Sequence, residues 1–205
     1  MKYITDPNLI EDKSMEIIRG LMQEYTFTPE EEKVIFRVVH TTGDPAYAPL
    51  VKIHPEAIIA AKKALANGCS VFTDIKMVRS GINSKKLAKL GGEVNCVIDA
   101  PEVVEMAKSK GITRSMAAML YFGEKLNGNI VAIGNAPTAL FQLLELVETK
   151  QIKPALIIGT PVGFVGARES KEELTKSTIP YITIEGNKGG STIAATITNA
   201  LLKLV

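Results

Sequence analysis

The chain has 205 residues, 46% hydrophobic and 22% charged, with a formal net charge of +2. That is ordinary for a globular protein with material for a sizeable core. A charge so near neutrality, with no basic block interleaved with aromatics, argues against nucleic acid as a partner. No apolar run approaches the ~20 residues of a membrane helix, so no membrane partner is expected, and the N-terminus turns polar too early for a leader.

Three helices are expected first. The stretch DPNLIEDKSMEIIRGLMQE opens with Asp6 as cap and Pro7 at the first helical position. Its Leu9, Ile10, Ile17, Ile18, Leu21 and Met22 recur at roughly helical spacing. TPEEEKVIFRVVHTT has Thr28 as cap, three glutamates in the first turn, where the helix dipole favours them, and Gly43 as stop. GDPAYAP then reads as a stiff loop. HPEAIIAAKKALANG repeats the helical pattern between Pro55 and Gly68, with His54 suited to a capping or surface role.

The period then changes. CSVFTDI, VNCVIDA, NIVAIGNA, ALIIGTPV and IPYITIEG are short runs rich in Val and Ile. Helical stretches separate them near 100–110, 113–127, 137–150 and 167–176, and GGSTIAATITNALLKL closes the chain. Continuous apolar strands alternating with helices indicate a parallel sheet covered on both faces. The expected fold class is α/β: one three-layer domain over residues 1–205, with a mostly parallel five-stranded sheet, helices on both faces and an N-terminal helical portion. Cys69 and Cys96 lie inside apolar runs and read as buried thiols in a reducing, cytoplasmic compartment. They make no metal site.

In such a sheet, ligands bind beyond the carboxyl ends of the strands. TDIKMVRSGI places Asp74, Lys76 and Arg79 there; GNAPTAL contributes Asn135. GTPVGFVGARES and EGNKGGST contribute glycines that let backbone N–H groups approach an anion, or that simply make tight turns. None of these has the spacing of a P-loop or a GxGxxG fingerprint, so no nucleotide cofactor is expected. His40 lies in the last turn of the second helix, three residues after Arg37 and on the same face. It is the better placed of the two histidines, the side-chain type most often used to carry protons in catalysis. Among apolar neighbours, a lone histidine is more often part of a core.

The strings RVVHTTGD, TDIKMVRSGI, GITRSMAAM, AIGNAPTALFQLLEL, IGTPVGFVGARESK and KGGST occur in this order. Together they make the chain resemble the precorrin-8X methylmutases, including those that act on cobalt-precorrin-8, over nearly its whole length. The resemblance implies an isomerase that moves a methyl group from carbon eleven to carbon twelve of a corrinoid ring in cobalamin biosynthesis. An intramolecular shift needs no methyl donor and no cofactor. The resemblance further implies a homodimer with sites near the subunit interface, and a general acid at the histidine matching His40. Ser14 and Arg37 match positions associated with substrate binding. Arg19, Asp74, Met77, Thr113, Arg114, Ser115 and Asn135 fall in matching motifs, although Met77 reads better as core filler. Ser14 and Arg19 stand roughly 140° apart on an ideal helix, so one pocket of one subunit does not need both. Two rival readings remain for such a fold: a non-catalytic corrinoid carrier and a nucleotide-dependent oxidoreductase.

Overall fold

The computed structural model describes residues 4–205. Helices α1 (Pro7–Leu21) and α2 (Pro29–Thr42) begin where the capping residues put them. Asp6 accepts the N–H groups of Asn8 and Leu9, two donors that a first turn leaves orphaned. Thr28 and Glu31 close a reciprocal capping box. Gly43, at φ 64°, ends α2 in the left-handed conformation that glycine adopts without penalty. GDPAYAP, expected as a stiff loop, folds as a 3-10 turn over Pro45–Leu50 capped by Asp44.

The remaining elements follow in order: β1 (Val51–Ile53), α3 (Ala57–Ala66), β2 (Val71–Thr73), α4 (Lys76–Gly81), α5 (Ser84–Lys89), β3 (Val94–Asn95) and α6 (Pro101–Lys110). Then come α7 (Arg114–Phe122), β4 (Ile130–Ile133), α8 (Pro137–Lys150), β5 (Leu156–Gly159), α9 (Ala167–Leu174), β6 (Tyr181–Ile184) and α10 (Ser191–Leu202). His54 precedes α3 without capping its first turn: its Nδ1 accepts the N–H of Glu56, the residue before the helix, at 3.2 Å.

The expected α/β class holds, but the sheet has six strands rather than five, in the order β1-β6-β5-β4-β2-β3. The additional strand is β1, antiparallel to β6 at the edge. Three residues are too few to display an alternating pattern, and pairing with β6 makes them a strand. All other neighbours are parallel. Successive side chains point to opposite faces. Ile130, Ala132, Leu156 and Ile158 meet a layer of α1, α2, α3, α4, α5 and α10. Val131, Ile133 and Ile157 meet α6, α7, α8 and α9.

Three details depart from expectation. Cys69 is buried, its thiol pushed up to about 11 by burial, but Cys96 is only half-buried and lies just past β3. Met77 is 67% exposed rather than core filler. The apolar stripe of α1 faces outward: Leu9, Ile10, Ile17 and Leu21 are each at least 44% exposed, while Ile18 is buried.

The chain passes from β2 outward to β3 and returns on the other side of β2 as β4. The order therefore reverses between β2 and β4, whose carboxyl ends flank the crevice where doubly wound sheets hold ligands.

Candidate active site

His40 is exposed, in contrast to Val38 and Val39 beside it, so it is not a core histidine. The end of α2 that carries it is fixed. Thr41 Oγ1 lies 3.0 Å from Thr196 Oγ1 on α10, and Thr42 Oγ1 donates back to the Val38 carbonyl at 3.0 Å. The imidazole lines a cleft of about 410 Å³ with Arg37, Asn83, Lys86, Thr196 and Lys203. Apart from Arg37, these residues come from distant parts of the chain, and no local motif marks them: α2 and α4 pack on α10, and Asn199 of α10 clamps the turn between α4 and α5 that brings in Asn83 and Lys86.

Arg37 is half-buried and forms an ion pair with Glu11 of α1. Glu11 also stands 3.5 Å from Lys203, so one carboxylate bridges two of the cations that line the cleft. The Arg37 guanidinium holds the Glu11 carboxyl below the usual carboxylate range, partly offset by burial. Arg19 pairs with Glu32 at 2.5 Å, sits over the Phe36 ring and lines an adjoining cleft of about 300 Å³ that shares Arg37 and Lys203 with the first. Ser14 donates to the Ile10 carbonyl at 2.8 Å and lines neither cleft.

The other candidates gather at the carboxyl edge of the sheet. Asp74 leaves β2 fully buried and crosses to the end of β4. There its carboxylate accepts N–H groups of Gly134, Asn135 and Ala136 at 3.1, 2.9 and 2.8 Å. Burial pushes the Asp74 carboxyl above the usual range, and the three donors pull the other way. The crevice at the topological switch point is thus filled from within. The N–H groups that would hold a ligand's anion are occupied by Asp74, which counts against the dinucleotide reading. Asn135 gives its N–H to Asp74 and leaves its side chain exposed. Thr113 caps α7 and lies 3.0 Å from Thr138 Oγ1, which ties the start of α7 to the GNAPT turn. Ser115 is buried beside it and Arg114 is exposed.

The glycine-rich loops hold one another. Gly190 N–H donates to Thr160 O at 2.7 Å, and Gly163 N–H to Asn187 O at 3.2 Å. A Cβ at Gly189, where φ is 148°, would lie 2.3 Å from Thr160 O. Close passage of two loops therefore explains this glycine.

The candidates thus fall into two groups. Arg19, Arg37 and His40 face clefts on the outside of the α2–α10 layer. Asp74, Thr113, Arg114, Ser115 and Asn135 lie along the carboxyl edge, and none of them lines those two clefts. Chemically, the first group sets an exposed imidazole beside two arginines, and Lys86 and Lys203 add to the positive charge of its cleft, which suits an anionic ligand.

Residues 9–204 match the sequence profile of the precorrin-8X methylmutase family. A cobalt-precorrin-8 methylmutase of Salmonella typhimurium is 44% identical, with 98% of this chain and 97% of that protein covered. One from Leptospira interrogans is 43% identical over 95% of this chain and 92% of its own length. Among solved structures, a precorrin-8x methyl mutase from Thermus thermophilus superposes with a TM-score of 0.88 at 38% identity, covering 96% of this chain and 95% of that one.

Proposed function

The chain belongs to the precorrin-8X methylmutase family, and from that premise we propose how its His40 cleft serves the reaction. The enzyme is an isomerase. It moves a methyl group within (cobalt-)precorrin-8, breaking the bond to carbon eleven and forming one to carbon twelve, to give the hydrogenobyrinate or cobyrinate skeleton. Both relatives named above carry cobalt-precorrin-8 in their names.

His40 is the general acid. As imidazolium it donates a proton to the corrinoid, at the ring C nitrogen, and takes it back after the methyl group has moved. Protonation draws electron density from the ring and eases the shift. The observation that carries this role is an exposed imidazole, mounted on a pinned helix end, in a cleft with Arg37, Lys86 and Lys203. These cations suit the carboxylate arms of the substrate, and charge-assisted hydrogen bonds to carboxylates are the stronger kind. Arg19 extends the same cationic wall. Ser14, which faces neither cleft, belongs to a site completed across a homodimer. The outward apolar stripe of α1 and the exposed Phe164 and Val165, both at least 90% exposed, supply surface for such an interface. Asp74, Asn135, Thr113, Arg114 and Ser115 then act on the ligand through the shape of the carboxyl edge or from the partner's side. The two thiols are unpaired, and we place the enzyme in the cytoplasm.

The test is incubation of the purified protein with metal-free and cobalt-containing precorrin-8, following the absorbance change of rearrangement. His40→Ala should lower kcat by about 100- to 10,000-fold, with unfolding free energy within about 0.5 kcal/mol of the parent, as for an exposed side chain. A variant that rearranges substrate at near-parental rate removes His40 from the chemistry.

A further inference from the structure

Between Ile75 and Gly92 the chain carries five cations, Lys76, Arg79, Lys85, Lys86 and Lys89, and no acid. Spread over two short helices, they form no compact basic block. Lys76 is paired with Asp99 at 2.5 Å, whereas Arg79, Lys85, Lys86 and Lys89 have no carboxylate within ion-pair distance among the described residues. A run of this kind is commonly just a solvated face. Here three observations argue otherwise.

The segment is held rigidly. Asn199 of α10 clamps it twice, accepting the Asn83 N–H and donating to the Gly81 carbonyl, both at 2.8 Å. Ile82 and Leu87 anchor it in the core. Gly81 lets α4 approach α10 so closely that a Cβ there would lie 2.7 Å from that of Ala195. The cations are therefore mounted on fixed backbone.

The segment also divides two clefts. On one side, Asn83 and Lys86 line the cleft of His40. On the other, Arg79, Ser80, Ser84 and Lys85 line a cleft of about 640 Å³ whose lining contains a single acid, Glu93. The ridge between them is α5, and a helix with its side chains is about 10–12 Å across. That is comparable with the breadth of a tetrapyrrole and its arms. Finally, unpaired cations keep their capacity for an incoming anion, whereas Arg37 must first release Glu11.

We infer that Arg79 and Lys85 form a second carboxylate-binding subsite, across the α5 ridge from His40, for peripheral carboxylate arms of the same macrocycle. The inference rests on the corrinoid reading of the His40 cleft. It assigns Arg79 and Lys85 a role in binding and orienting substrate, and none in the proton transfer.

The test is equilibrium titration with the product polycarboxylate, cobyrinate, read by absorbance, on the full chain and on an Arg79→Gln/Lys85→Gln double variant of parental melting temperature. Two exposed charge contacts predict binding weaker by roughly 2- to 30-fold, KM raised by more than kcat falls, and a shallower loss of affinity with added salt. A corrinoid whose arms are amides should bind parent and variant alike. Lys108→Gln/Lys110→Gln, removing two cations from α6, should leave binding at the parental level. Parental affinity in the Arg79/Lys85 variant, with the parent binding and turning over normally, overturns the subsite alone. A parent that neither binds nor rearranges the corrinoid overturns the corrinoid reading, and the subsite with it.

Discussion

Asp74 and His40 lie in opposite surroundings, one at the carboxyl edge of the sheet and the other on the outer face of the α2–α10 layer. At the edge, polar groups are committed to the protein itself. Asp74 takes three backbone N–H groups across the switch point, and buried Lys171 of α9 donates to the carbonyl of Lys188 in the loop after β6. On the outer face, the imidazole and several cations stand open to solvent or to exchangeable ion pairs. A buried polar group that is fully hydrogen-bonded has little left for a ligand, and removing it costs its partners their desolvation. An exposed group costs little to remove but is free to react. The two regions should therefore answer mutation in opposite ways.

The largest effect belongs to the edge. Asp74→Ala leaves three N–H groups without their acceptor, and should lower unfolding free energy by about 3–5 kcal/mol, measured by denaturant titration. His40→Ala should leave that titration nearly unchanged and remove turnover. If Asp74→Ala keeps parental stability, the edge is not an internally satisfied framework.

The contrast also explains what the sequence made legible. Caps at Asp6 and Thr28, the stop at Gly43 and the Val/Ile runs are local signals, and α1, α2 and the five parallel strands stand on them, whereas α4 and α5 form in a stretch expected only as a loop after the first strand. Strand β1 was not legible, because it depends on pairing with residues about 130 positions away. The site was legible only in part. His40 and Arg37 share a helix face, and spacing alone shows it. Lys86, Thr196, Asn199 and Lys203 join them through helix packing, which no motif encodes. Sheets of this kind hold ligands at their strand ends, but here the polar groups of Asp74 and the glycine loops serve the fold itself.

Lys171 provides the next test. It is 2% exposed, and burial lowers its amine to about 8 from an unfolded value of about 10.4. Through that window the unfolded chain binds a proton that the folded protein has released. Stability contributed by this group therefore rises with pH, by up to about 3 kcal/mol between pH 7 and pH 11. Lys171→Met also loses the bond to Lys188 O, which shifts stability at every pH. Its signature is the slope: the parent-minus-variant difference in urea unfolding energy should climb from pH 7 to pH 10.5. A flat difference would mean that the ammonium is well solvated and that this part of the edge resembles the outer face.

The smallest effect tests the outer face. Glu11 bridges Arg37 and Lys203, two cations that line the His40 cleft. Arg37 keeps it ionised through mildly acidic pH, so the bridge persists under ordinary assay conditions. Surface ion pairs of this exposure contribute about 0–1 kcal/mol, and Glu11→Gln should barely move the unfolding midpoint. The sign of its effect on KM separates two roles for the bridge. If the bridge competes with the incoming carboxylate, Gln in its place lowers KM about two- to fivefold, because the substrate no longer displaces a charge. If the bridge instead orients Arg37 for the substrate, KM rises. A fall in KM would separate the two regions further, since the removed carboxylate would prove replaceable by a ligand's own, as that of Asp74 is not.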